Sequence, residues 1–191
     1  MHVVTASSGR RIPGEVGVWV FILGDMLTFS VLFATFLYYR AKDTVLFTES
    51  QRALNQDFGA ANTVVLLFSS LLVVLAVRAV RTQSPLASWF IIGAMTCGVI
   101  FSTLKVIEYG QKVHAGITPS TNNFFMLYFV MTGLHWFHLI VGMLVLSALL
   151  VLSRKPALTA RQSAFFEGGA CFWHMVDLLW IVLFPLLYLV R

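Results

Sequence analysis

Long apolar runs alternate with short polar connections along this chain, and five of the runs are long enough to cross a bilayer. A membrane-spanning helix needs about 20 mostly apolar residues. The runs near 16–39, 58–77, 85–108, 124–152 and 168–190 meet that length, which predicts an all-α integral membrane protein built as a five-helix transmembrane bundle. The first run carries one charge, Asp25, and the second carries none. The third stays uncharged until it ends in "KVIEYG", the fourth contains "GLHWFHLIVG", and the fifth contains "FWHMVDLLWIVLFPLLYLV". Within the fifth, Pro185 removes one backbone hydrogen bond and is expected to bend the helix. The connections are the polar stretch 40–57, "RTQSP", "GQKVHAGITPSTNN" and "SRKPALTARQSAFFEGG", all too short for a second folded domain. Residues 16–191 therefore read as a single membrane domain, preceded by a cytoplasmic N-terminal segment, 1–15. No inverted repeat of the kind found in secondary transporters is visible.

Composition supports the membrane reading. Of 191 residues, 59% are hydrophobic and 11% charged, more apolar surface than one soluble core of this length could hide. The net charge of +5 is scattered, with no cluster larger than the pairs Arg10-Arg11 and Arg154-Lys155, so nucleic acid is not an expected partner. The basic residues instead suggest an orientation. Arg10, Arg11, Arg78, Arg81, Arg154, Lys155 and Arg161 fall on one side, and Arg40, Lys42, Arg52, Lys112 and Arg191 on the other. That bias places the N-terminus in the cytoplasm and the C-terminus outside. The start, "MHVVTASSGRRIPGEVG", has no apolar stretch before a cleavage site, so no removable signal peptide is expected. Cys97 and Cys171 lie in apolar runs without paired-motif spacing and read as small buried hydrophobes.

The candidate chemistry lies in the polar residues carried into the spans. Each costs about 2.5–3.5 kcal/mol on insertion scales, so each needs a partner or a purpose. They are Asp25, the pair Lys105 and Glu108, the pair His135 and His138, and the pair His174 and Asp177, with Glu167 at the mouth of the last helix. At 100° per residue, Glu167, Cys171, His174 and Asp177 fall within an arc of ~120°, one face of the fifth helix. Asp25, the histidine pair and the His174/Asp177 pair are expected at similar depth. Lys105 and Glu108 are expected near the outer surface, as an outer-end ion pair. Three readings stand. The polar groups form a buried network that fixes helix register; a carboxyl group, with Asp25 the best candidate, exchanges protons near a pathway; or the histidines ligate iron or copper.

The motifs then resemble a known family. "FFEGGACFWHMVDLLWIVLFPLLYL" is similar to the last helix of subunit III of the haem-copper oxidases, and "FFMLYFVMTGLHWFHLIVGMLVL" to that family's penultimate helix. "IEYG" and "ANTVVLLFSS" resemble parts of two earlier helices, and "VWVFILGDMLTFSVLFATF" resembles the helix that bears the family's intramembrane acid. The chain departs from the mitochondrial form by having five helices where that form has seven, and by Asp25 where that form has Glu. It looks like the short bacterial forms. "GVWVFILGDM", "KVHAGIT" and "HMVDLLWIVLFPLLYL" most resemble the branch associated with nitric oxide reductase.

The resemblance implies a non-redox subunit of a respiratory complex, a cytochrome c oxidase or one linked to nitric oxide reductase, in a bacterial cytoplasmic membrane. It implies no cofactor in this chain. Haem and copper or iron would lie in a large partner, subunit I, with other subunits and bound phospholipid around it. The chain would support assembly, lipid binding and proton uptake during respiratory electron transport, without catalysing alone. Asp25 takes the place of the family acid as a proton- or lipid-linked group, while His135, His138, Glu167, His174 and Asp177 take a structural role. The rival classes are a small metal-binding membrane enzyme and a proton-coupled transporter.

Overall fold

The computed structural model describes residues 16–190; the N-terminal segment 1–15, with Arg10 and Arg11, and the terminal Arg191 lie outside the described residues. The described chain forms α1 (Val16–Lys42), α2 (Thr44–Arg52), α3 (Gln56–Arg81), α4 (Ala87–His114), α5 (Asn123–Ser153), α6 (Ala160–Phe184) and a terminal π-helical turn (Pro185–Leu189). Five of these, α1, α3, α4, α5 and α6, are long and apolar enough to cross a membrane. Hydrocarbon offers no partner to a backbone N–H or C=O, so an uninterrupted helix is the form these runs can take there. Side-chain hydroxyls obey the same constraint. Along α1, Thr28, Ser30 and Thr35 each donate to the carbonyl one turn back, at 3.0, 2.7 and 2.8 Å.

The helices extend beyond their apolar runs because their ends are polar and capped. Thr159 and Gln162 form a reciprocal capping box that starts α6 at Ala160, ahead of the apolar run near 168. Asn122 accepts from the Phe125 N–H at 2.9 Å to start α5. α4 runs on to His114 rather than stopping near 108. The polar stretch 40–57, read as a connection, contains α2. α2 is capped by Asp43 and buries Phe47, whose ring meets Phe36 at 5.3 Å and Phe124 at 5.5 Å. At Pro185 the α-helical ladder gives way to wider bonding, and the Val190 N–H donates to the Pro185 carbonyl at 2.9 Å.

α3, α4, α5 and α6 close into a ring in which each packs on two neighbours, and α1 leans on the α5–α6 side of it. α6 is the centre: 61% of its apolar window is buried, against 17% for α1. Trp173 and Trp180 fill the interior, both fully buried. Their indole N–H groups donate to Ser69 Oγ and Thr63 Oγ1, each at 3.1 Å, tying α6 to α3. Ser69 donates onward to the Ala94 carbonyl of α4 at 3.1 Å.

Gly98, Gly142 and Gly169 make room for Trp173 and its neighbours. A Cβ on Gly142 would stand 2.7 Å from Trp173 Cε3, and one on Gly169 would stand 2.8 Å from Val145 Cγ1. Gly142→Ala is therefore expected to cost about 1–3 kcal/mol through overpacking, read as an earlier midpoint in an SDS unfolding titration. Gly110→Ala is the control. Nothing lies within 4 Å of that added Cβ, so the helix-favouring methyl should leave the midpoint unchanged or raise it.

Candidate functional site

The polar groups inside the bundle separate into small sets, each linking different helices. Four carboxylates and three histidines are involved, and their partners differ in kind.

The largest set surrounds Glu108. Lys105 Nζ lies 2.8 Å from Glu108 Oε2, with both side chains 2% exposed. Tyr128 and Tyr188 donate to Glu108 Oε1 at 2.9 and 2.6 Å, and Lys105 donates to the Tyr188 hydroxyl at 3.0 Å. Lys112 Nζ completes the surround at 4.0 Å. Lys105 also sits 4.6 Å above the Trp180 ring. The set joins α4, α5, α6 and the terminal turn. The expected pair between Lys105 and Glu108 forms, packed inside the bundle toward the C-terminal end of α4 and closed over by two phenols.

Asp25 and His138 form the second set. Asp25 Oδ1 of α1 stands 3.3 Å from His138 Nε2 of α5, with the side chains 17% and 8% exposed. His138 Nδ1 lies 2.8 Å from the Leu134 carbonyl, so that nitrogen carries a proton and donates it. The Nε2···Oδ1 contact then needs one further proton, held by either the imidazole or the carboxyl group. Asp25 Oδ2 is buried without a partner among the described residues. Phe29 and Phe137 flank the imidazole at 5.6 and 5.7 Å.

Of the remaining residues, His135, His174 and Glu167 bond outside their own group and Asp177 forms no hydrogen bond among the described residues, so the expected network among the histidines, Glu167 and Asp177 is not continuous. His135 is fully buried, its Nε2 donating to the Val176 carbonyl at 3.1 Å between the rings of Phe101 and Trp180. His174 Nδ1 shares a proton with Ser70 Oγ at 2.7 Å. Ser70 also neighbours Asp177, yet neither Asp177 oxygen makes a hydrogen bond among the described residues. His174 therefore has its partner on α3 rather than in Asp177. Glu167 is not buried: its side chain is 25% exposed and pairs with Arg81 at 2.7 Å, at the end of the bundle. Among the described residues no three of His, Cys, Asp and Glu gather in a set that could hold a metal ion.

Sequence reasoning missed Tyr128, Tyr188, Lys112 and Ser70. Lys112 stands four residues after Glu108, a spacing that brings two side chains to one helix face. The phenols and Ser70 come from other helices and left no local signal.

Glu108 gives a direct test. Removing one partner of a buried ion pair costs about 3–5 kcal/mol, because the other charge is stranded. Glu108→Gln is expected to show a loss of that order in SDS unfolding, and Lys105→Met combined with Glu108→Gln a smaller one.

The comparisons with known proteins agree across nearly the whole chain. The family model described as cytochrome c oxidase subunit III matches residues 2–190. The cytochrome c oxidase subunit 3 of Synechocystis sp. is 33% identical over 176 residues, covering 91% of this chain and 74% of that protein. The quinol oxidase subunit 3 of Bacillus subtilis is 31% identical over 178 residues, covering 91% of this chain and 85% of that protein. A haem-copper oxidase subunit I+III of Aeropyrum pernix is 28% identical over 180 residues, covering 91% of this chain and 22% of that longer protein.

Proposed function

The chain belongs to the cytochrome c oxidase subunit III family, and from that premise we propose the work done by its own residues. It is a multi-pass membrane subunit of a haem-copper oxidase-type complex and is not catalytic alone. In the proposed role it supports assembly, lipid binding and proton uptake of a large subunit that carries haem and copper or iron. The relative from Aeropyrum pernix, whose name joins subunits I and III in one chain, supports a direct partnership with subunit I. The setting is a bacterial cytoplasmic membrane, with the N-terminus inside and the C-terminus outside, as the distribution of basic residues favours. Placement beside nitric oxide reductase rests on "GVWVFILGDM", "KVHAGIT" and "HMVDLLWIVLFPLLYL". The relatives named above are cytochrome c and quinol oxidase subunits.

One observation carries the reading of Asp25. The acid sits on the least buried spanning helix, tied to the ring of helices by a single contact to His138, with its second oxygen free. That arrangement suits a group whose hydrogen bond docks α1 onto α5. Beside α1, an apolar groove of about 360 Å³ between α1, α5 and α6, lined by Val18, Phe21, Val141, Val145 and Phe172, suits a phospholipid acyl chain. The free Oδ2 and the single exchangeable proton also favour a second reading, proton exchange at Asp25.

Mild-detergent purification of the tagged chain is expected to bring down a large haem-bearing subunit, and its identity will place the branch. If no such subunit appears, the assignment of partner is wrong. Asp25→Asn is expected to assemble and sustain turnover like the parent, because the amide can still bond to His138. Asp25→Leu should weaken assembly by leaving His138 without its partner. An Asn variant that assembles normally but inactivates faster during turnover, most at high pH, would move the role of Asp25 from docking to proton exchange.

A further inference from the structure

At the end of the bundle where the α3–α4 turn faces the α5–α6 connection lies a cavity of about 530 Å³. Three cationic side chains, Arg81, Arg154 and Lys155, line it, and no acidic residue does. Arg81 engages Glu167 through Nη2, but Arg154 and Lys155 have no carboxylate partner among the described residues. Below the basic rim are half-buried serines. Ser153 donates to the Leu150 carbonyl at 2.9 Å and lies 2.9 Å from Ser88 Oγ. Ser84 Oγ accepts only a long bond from the Leu86 N–H, at 3.4 Å. The hydroxyl protons of Ser84 and Ser163 thus have no acceptor among the described residues. α4 begins beside them with Leu86 as its N-cap, a residue that supplies no side-chain oxygen to the first turn.

Basic residues at span ends often do no more than orient a chain. Orientation explains the charges but not the walls around them. Here cations, uncommitted hydroxyl donors and a helix start without a side-chain cap converge on one open cleft. What complements such a lining is a group with concentrated negative charge and several acceptor oxygens, the character of a phosphate ester. Leu152, Pro156 and Leu158 line the remainder, which suits an organic group attached to the phosphate.

We propose that this cavity binds a phosphate-bearing anion, held by Arg154, Lys155 and Arg81, with Ser84 and Ser163 donating to its oxygens. It is separate from the apolar groove beside α1 and does not depend on the role given to that groove. The phosphate comes from a phospholipid headgroup or from a free anion, and the test distinguishes the two.

The test uses the intact complex, purified in neutral detergent and stripped of lipid. The probes are inorganic phosphate and vesicles of phosphatidylglycerol, with phosphatidylcholine vesicles as the zwitterionic comparison. The variants are Arg154→Gln combined with Lys155→Gln, and Ser163→Leu, which keeps every charge and fills the cavity. Loss of charged hydrogen bonds is expected to weaken retention of the bound probe about tenfold or more. If the parent retains phosphatidylglycerol, the variants lose it and phosphate does not displace it, the ligand is a headgroup. If the parent binds phosphate and the variants lose that binding, the ligand is a free anion. Should the double variant fail to insert, Ser163→Leu alone carries the comparison. Equal binding of both probes by parent and variants, or binding by neither, overturns the proposal.

Discussion

A polar side chain taken into hydrocarbon cannot fall back on water, so it is costly unless another side chain or a spare carbonyl of the bundle meets it. Most of this architecture follows from that constraint. Glu108 draws Lys105 and Lys112 from its own helix, Tyr128 from α5 and Tyr188 from the terminal turn. Those contacts are possible only if α4, α5 and the end of α6 hold one relative register. The indoles of α6 act in the same way, each donating to a hydroxyl of α3. Apolar packing between helices in lipid discriminates weakly among registers, since lipid tails are as apolar as Leu. The polar ties supply the discrimination, and the glycines let the helices approach closely enough to make them.

The terminal turn shows how one local defect serves that register. Pro185 has no N–H to give, and the chain from Pro185 to Leu189 adopts the wider π spacing. Tyr188 lies in this turn and meets Glu108 at 2.6 Å, while the Tyr188 carbonyl accepts from Gln56 at the start of α3 at 2.8 Å. The proline that interrupts α6 is thus followed at once by the residue that locks its end to α3 and α4.

How much of this was legible in the chain depends on the range of the signal. Five spans could be read because hydrophobic length is a local property, and so could the i,i+3 relation of Lys105 and Glu108. α2 was missed because it buries few residues, Phe47 among them, and carries no long apolar run. The helix ends were placed too early or too late because hydropathy follows the membrane, whereas caps such as Thr159 with Gln162 determine where the helix begins. Partners across helices were the least accessible. Sharing a face, as His174 and Asp177 do, does not mean sharing a hydrogen bond. His174 turned to Ser70 of α3, and nothing within α6 predicts that choice.

Glu108 and Asp25 show how burial separates two intramembrane acids of similar cost. Glu108 is surrounded by donors from three sides, so its geometry is overdetermined and any change of protonation would disturb several bonds together. Asp25 has one polar partner, His138, and one oxygen without a hydrogen bond among the described residues. The sparsely partnered acid meets the ring of helices at one point, on α5, whereas the fully partnered one fixes the register of α4, α5 and the terminal turn.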